Sequence, residues 1–217
     1  MKGMQLLRGV ASGFFILFGL LASAAGWGAT LVVAVHTANG KPLAGAVVTL
    51  RSPGGADHPG VPVNAVMDQI NRTFVPDLLV IPVGSSVAFP NSDSVSHQIY
   101  SFSPAHRFQL PLYRGKPYPP VNFDQPGLIT LGCNIHDSML AYVLVTDAPY
   151  FGRTDATGTW SVDVPRGTYK INVWQPRMEE TLQKELTIEG ERSDLTLRLT
   201  HALKPAPLEG RHSWDAY

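Results

Sequence analysis

Gly132-Cys133-Asn134-Ile135-His136-Asp137-Ser138-Met139 brings a thiol, an imidazole and a thioether into one short segment. Apolar runs lie on both sides, Leu128–Leu131 before it and Ala141–Thr146 after it, with Pro126-Gly127 opening the first. The cluster therefore reads as a tight connection between two strands. A loop can turn three such side chains toward one point, whereas a strand sends alternate residues to opposite faces. A fourth donor, His97, stands just ahead of a short strand over Ile99–Phe102 and can converge on the same point.

The donor set selects the metal. A thiolate, two imidazoles and a weak thioether make the trigonal site with a long axial Met that suits one copper ion cycling between Cu(I) and Cu(II). Structural zinc prefers four strong ligands, and Met is not normally among them. A catalytic zinc site with three protein ligands stays open from the sequence, and it would leave Met139 idle. Four protein donors leave copper no open position for a substrate, so the reading is an electron carrier rather than an enzyme. Taken singly, Met139 is more often a core residue than a ligand; its spacing from Cys133 and His136 is what recruits it.

Compartment bears on the cysteine. Lys2 and Arg8 precede an apolar stretch, Val10–Leu21, and the small residues Ala22-Ser23-Ala24-Ala25 follow. That order predicts a cleaved secretory signal over residues 1–25, hence a periplasmic protein with no stable membrane insertion after cleavage; an uncleaved anchor is the alternative. Cys133 is the sole cysteine of the 217 residues, so an internal disulfide is excluded. An exported lone thiol is expected either to be buried as a small hydrophobe or to bind a metal. The formal net charge is zero, which gives no reason to expect a nucleic-acid or anionic-membrane partner.

The 18 prolines and 20 glycines are spread between short apolar runs, the pattern of an all-β chain with many turns. Thr30–Val35 and Ala46–Leu50 bracket Asn39-Gly40, a tight-reversal signal. Leu78–Val83 and Ser86–Phe89 read as a pair about Gly84-Ser85. Ala105–Gln125, rich in proline and aromatics, reads as a long ordered loop. Strands are expected over Thr159–Val164 and Thr168–Trp174, and Leu195, Leu197 and Leu199 alternate with polar residues. Glu179–Lys184 offers one helical turn with a Glu180–Lys184 pair, and residues 201–217 carry no pattern and read as a mobile tail. Phe89, Trp160 and Trp174 are simplest as core, and Met67 as packing. His36, His58, His106, His201 and His212 read as solvated or structural.

Phe89-Pro90-Asn91-Ser92-Asp93-Ser94-Val95-Ser96-His97, Pro126-Gly127 and Cys133 through Met139 together resemble the cupredoxins, the blue copper fold of plastocyanin, pseudoazurin and amicyanin. The Cys133, His136, Met139 spacing is most similar to amicyanin. The resemblance implies a Greek-key β-sandwich in which His97, Cys133 and His136 are equatorial copper ligands and Met139 is axial. It also implies that Asn91 ties the two ligand loops together by hydrogen bonds, against the plainer reading of a turn residue. Multicopper oxidases flank the equivalent Cys with histidines, whereas Gly132 and Asn134 flank Cys133, so oxidase chemistry is not implied. A dinuclear electron-entry site would need a second Cys.

A second resemblance rests on Lys41-Pro42-Leu43-Ala44-Gly45-Ala46-Val47-Val48, Thr154-Asp155-Ala156-Thr157-Gly158-Thr159-Trp160 and Pro165-Arg166-Gly167-Thr168-Tyr169. These stretches look like a carboxypeptidase regulatory-like β-sandwich, in which they would belong to one smaller domain. The expectation is a cupredoxin over residues 61–148 inserted into a sandwich made of 30–52 and 149–200. A competing arrangement gives the first two strands to the cupredoxin. The whole chain is similar to exported proteins grouped as methylamine utilization proteins. The function implied is single-electron transfer between redox proteins, with a cytochrome or dehydrogenase as partner. Copper binding or storage, or a structural sandwich without turnover, is the other class.

Overall fold

Along Gly28–His36 the buried side chains are Ala29, Leu31, Val33 and Val35, every second residue, the period of a strand with one face on a core. The computed structural model describes residues 28–52, 60–115 and 117–205; the signal segment 1–25, His58, His212 and the tail beyond residue 205 lie outside them. In chain order the strands are β1 (Gly28–His36), β2 (Val47–Arg51), β3 (Asn64–Val66), β4 (Asp68–Ile70), β5 (Thr73–Val75), β6 (Leu78–Pro82), β7 (Ser85–Ala88), β8 (His97–Ser101), β9 (Phe108–Tyr113), β10 (Val121–Phe123), β11 (Gly127–Gly132), β12 (Leu140–Thr146), β13 (Tyr150–Arg153), β14 (Thr159–Pro165), β15 (Gly167–Trp174), β16 (Leu182–Ile188) and β17 (Arg192–Arg198). Among the described residues there is no helix, and the fold is all-β.

Two separate apolar cores organise these strands. Sheets ordered β14-β1-β17 and β13-β2-β15-β16 contribute Leu31, Val33, Leu50, Ile171, Val173 and Ile188 to one of them. Sheets ordered β10-β7-β3 and β6-β12-β11-β8-β9 contribute Val87, Ile99, Phe123, Ile129, Leu131 and Val143 to the other, which also takes in Cys133 and Met139. Each large aliphatic side chain withdrawn completely from water stabilises its core by about 1.5–3 kcal/mol. The flanking strands of the second unit, β2 and β13, pair antiparallel with Leu50 opposite Tyr150, so the chain leaves and re-enters the first sandwich at adjacent points. At this junction Arg51 forms an ion pair with Asp147, and the Tyr142 and Trp174 rings meet edge to face at 5.8 Å.

Several sequence expectations are corrected. Leu78–Val83 and Ser86–Phe89 do not pair with each other: β6 and β7 lie in different sheets, and Gly84, at φ +84, carries the chain across. The same holds for β1 and β2. Turn residues announce a reversal of the chain, and a reversal across a sandwich needs the same residues as one within a sheet. Ala105–Gln125 is not a loop throughout, since it contains β9 and β10. Among the described residues β9 is an edge strand, paired with β8 alone, which is where a residue such as Pro111 is tolerated and hides the strand pattern.

Glu179–Lys184 makes no helical turn; Lys184 lies in β16 and Glu180 meets His201 at 3.4 Å. The described start of the tail is held, with Lys204 N–H on Arg177 O at 2.8 Å and Arg177 Nε–H on Lys204 O at 2.7 Å. Trp174 is not core. It stands on the opposite face of β15 from Ile171 and Val173, against Tyr142.

Candidate metal centre

Strand β11 delivers the chain to Cys133, and two consecutive turns over residues 134–138 return it to β12. The Met139 N–H donates to His136 O at 3.0 Å, which closes the second turn. On the other side of β11 lies β8, antiparallel, with Tyr100 opposite Gly132. The chain leaving Gly132 therefore heads toward the residue that opens β8, His97. Gly132 makes room for the Tyr100 ring, whose far end would lie 2.8 Å from a Cβ there and would have to shift to admit one. A register shift between His97 and Ile99 at the start of β8 re-aims His97, as bulges beside functional sites commonly do.

Three of the four residues expected as ligands meet through single atoms. His97 Nδ1 lies 3.0 Å from His136 Nδ1, and Cys133 Sγ lies 3.8 Å from the first and 3.7 Å from the second. A triangle with those sides has its centre about 2.0 Å from every corner, close to the roughly 2.0–2.3 Å of metal bonds to imidazole nitrogen and thiolate. The residues present thus fit one metal ion of this size. Met139 is buried and lines the same groove as Cys133. His97 is fully buried, Cys133 nearly so and His136 half-buried, so His136 is the one of the three with an edge toward solvent.

Behind His97 stands a residue that the sequence analysis passed over. His97 Nε2–H donates to Asp93 Oδ2 at 2.9 Å, which turns the Nδ1 lone pair toward His136 and Cys133 and fixes the tautomer a metal needs. Burial works to raise the pKa of Asp93, but hydrogen bonds from His97 and from the backbone N–H groups of Arg72 and Ser94 outweigh it. The result is a carboxyl lowered from 3.8 to about 2. In the metal-free protein this ionised carboxylate contributes stability in full above about pH 4 and loses it as pH falls through about 2. A carboxyl 13C titration that placed the Asp93 midpoint at or above its ordinary value would contradict this. The available signal was position: Asp93 is the one acid between Phe89 and His97.

Asn91 departs from the role the resemblance implied. Its Nδ2 donates to Val95 O at 3.0 Å and to Tyr113 O at 2.9 Å, and its Oδ1 accepts from Asp93 N–H at 3.0 Å. It braces the His97 loop on itself and on β9, and these bonds do not reach residues 133–139. Tyr113, on β9 inside the stretch expected as loop, accepts from Gln69 Nε2–H at 2.6 Å and donates to Phe89 O at 2.5 Å; burial pushes its pKa up to about 12. The other described histidines stay away from the centre: His106 packs against Phe108 and Phe123, His201 meets Glu180, and His36 lies in β1.

No family model and no curated protein matches the chain. Solved structures match parts of it. A purple cupredoxin from Nitrosopumilus maritimus is 25% identical over 38% of this chain and 99% of its own, with a TM-score of 0.34. A reduced amicyanin variant is 18% identical over 45% of this chain and 99% of its own, with a TM-score of 0.35. A copper-containing nitrite reductase from Thermus scotoductus SA-01 is 23% identical over 52% of this chain and 28% of its own, with a TM-score of 0.37. These are partial likenesses, and the reading of the centre rests on its own donor geometry.

Proposed function

We propose that the chain is an exported protein that holds one copper ion at His97, Cys133, His136 and Met139 and passes single electrons between redox proteins. The observation that carries this reading is the triangle of Nδ1, Nδ1 and Sγ atoms with a bond-length centre, beside a buried thioether. Bound copper would supply one-electron Cu(I)/Cu(II) chemistry, for which a soft thiolate, two imidazoles and a weak axial thioether are the suited donors. The chain's own contribution is rigidity. His97 is locked by Asp93, Cys133 is seated in the second core, and Met139 is tied to His136 through the backbone. Donors that stay in place minimise rearrangement when the charge of the site changes. His136 offers the half-exposed edge, and Ile135 and Leu140 on either side of it present apolar surface suited to a transient partner such as a cytochrome or dehydrogenase. Export rests on the order of residues 1–25.

The same proposal treats residues 61–148 as a guest in a sandwich of residues 30–52 and 149–200, the part that resembles regulatory-like domains. The pairing of β2 with β13 supports it, because a guest whose ends lie close can be accommodated between two strands of its host.

Titration of the metal-free protein with Cu(II) tests the function. One equivalent is expected to saturate the site and produce an intense visible absorption, which a reductant bleaches and an oxidant restores. Saturation without such a band, or a band that a reductant leaves unchanged, would refute electron transfer at this site.

A further inference from the structure

We propose that the β4–β5 hairpin is a positioning device for His97, acting through Asp93; this rests on the copper reading of the site. Strands β4 and β5 form a two-stranded sheet of their own, outside both larger sheets of the second unit. The hairpin and the His97 loop are joined at both ends of the hairpin by carboxylates that point in opposite directions. At its base Asp68 accepts from the Ser92 N–H at 3.1 Å and the Ser92 hydroxyl at 2.7 Å. At its tip the Arg72 N–H donates to Asp93 Oδ2 at 2.7 Å, the same oxygen that receives the His97 Nε2–H at 2.9 Å. Asp93 Oδ1 takes the Ser94 N–H at 2.7 Å. The carboxylate is thus held from the hairpin, from its own loop and from the imidazole, and its side chain is only 7% exposed.

The backbone at the tip points the same way. Asn71 and Arg72 both have positive φ, 51° and 58°, the pattern of a two-residue reversal between twisted strands. Arginine has no intrinsic preference for that region, and such conformations persist where surrounding contacts impose them. At Arg72 the imposed geometry is the one that aims its N–H at Asp93.

A carboxylate on the outer N–H of a metal-bound imidazole increases the ring's donor strength and favours the more highly charged metal state. Asp93→Asn keeps the shape and removes the charge. It is expected to lower Cu(II) affinity about 10–100-fold with a smaller effect on Cu(I), so the reduction potential rises by about 59 mV for each tenfold change in the ratio of the two affinities. Asp68→Ala touches neither Asp93 nor His97 and loosens the hairpin's base. It is expected to raise the potential in the same direction by a smaller amount.

Wild-type potential in Asp93→Asn would overturn the role of the carboxylate, and wild-type potential in Asp68→Ala would overturn that of the hairpin. The ring 15N spectrum of metal-free wild-type protein gives a test that needs neither copper nor a variant. His97 should carry a proton on Nε2 that is slow to exchange with solvent, and an Nε2 without a proton would overturn the proposal. Absence of the copper band with the expected ring spectrum would instead count against the copper reading alone.

Discussion

Cys133→Ser is expected to abolish the intense visible absorption of the copper-loaded protein while leaving the fold in place. The band requires a thiolate bonded to Cu(II). Serine's hydroxyl stays protonated near neutral pH and is a harder, weaker donor, so the soft ligand that favours copper is lost. The rest of the site survives, because His97 is held by Asp93 and β8, and neither depends on the sulfur. Weak, pale Cu(II) binding by the two imidazoles is therefore the expected residue of activity. Folding loses only the contacts of one sulfur atom at a position 3% exposed. The substitution separates chemistry from stability, and circular dichroism together with the visible spectrum reads the two. A serine variant that kept the intense band would remove Cys133 from the metal and end the reading.

The cluster of candidate donors was legible because it is written in a short segment: Cys133, His136 and Met139 lie within one turn-forming loop. His97 needed the antiparallel placement of β8 beside β11, which spacing along the chain does not contain. Asp93 and Tyr113 were missed for a related reason. An aspartate in a serine-rich loop looks solvated until a buried imidazole is seen to donate to it. Tyr113 sits behind Pro111 in an edge strand whose alternation is irregular. The strands themselves were largely visible from β-branched and apolar runs, while their partners were not. Parallel pairing of β1 with β17 and of β6 with β12 joins segments far apart in sequence, and no turn signal announces such a pair. The β4–β5 hairpin escaped because its tip is Asn71-Arg72, without the glycine that usually marks such a reversal.

The strongest stability effect is expected at Gly158, and its consequence is confined to one core. Gly158 has φ +76, and a Cβ there would lie 2.7 Å from Val35 O and 2.9 Å from Leu43 N. Those two atoms are themselves partners, since Leu43 N–H donates to Val35 O at 2.8 Å, and Val35 N–H donates to Gly158 O. Gly158→Ala therefore adds a left-handed non-glycine residue and drives a methyl group into a hydrogen-bonded corner made of backbone, which cannot rotate away. The two effects together are worth about 3–4 kcal/mol. Trp160 lies in β14 and packs against this core, so in a background where Trp27, Trp174 and Trp214 are replaced by Phe its fluorescence follows this sandwich, whereas the visible band follows the copper site. In thermal unfolding of the copper-loaded variant, the fluorescence transition is expected to fall by on the order of 15 °C or more while the band's midpoint moves little. That separation follows if the second unit owns its core, as the division between the two sets of buried side chains implies. On the insertion reading the host can lose its corner without pulling the guest apart, because the chain leaves and re-enters the host where β2 lies against β13. A common shift of both transitions would mean that the two sandwiches unfold as one cooperative body, and the insertion reading would then lose its physical basis.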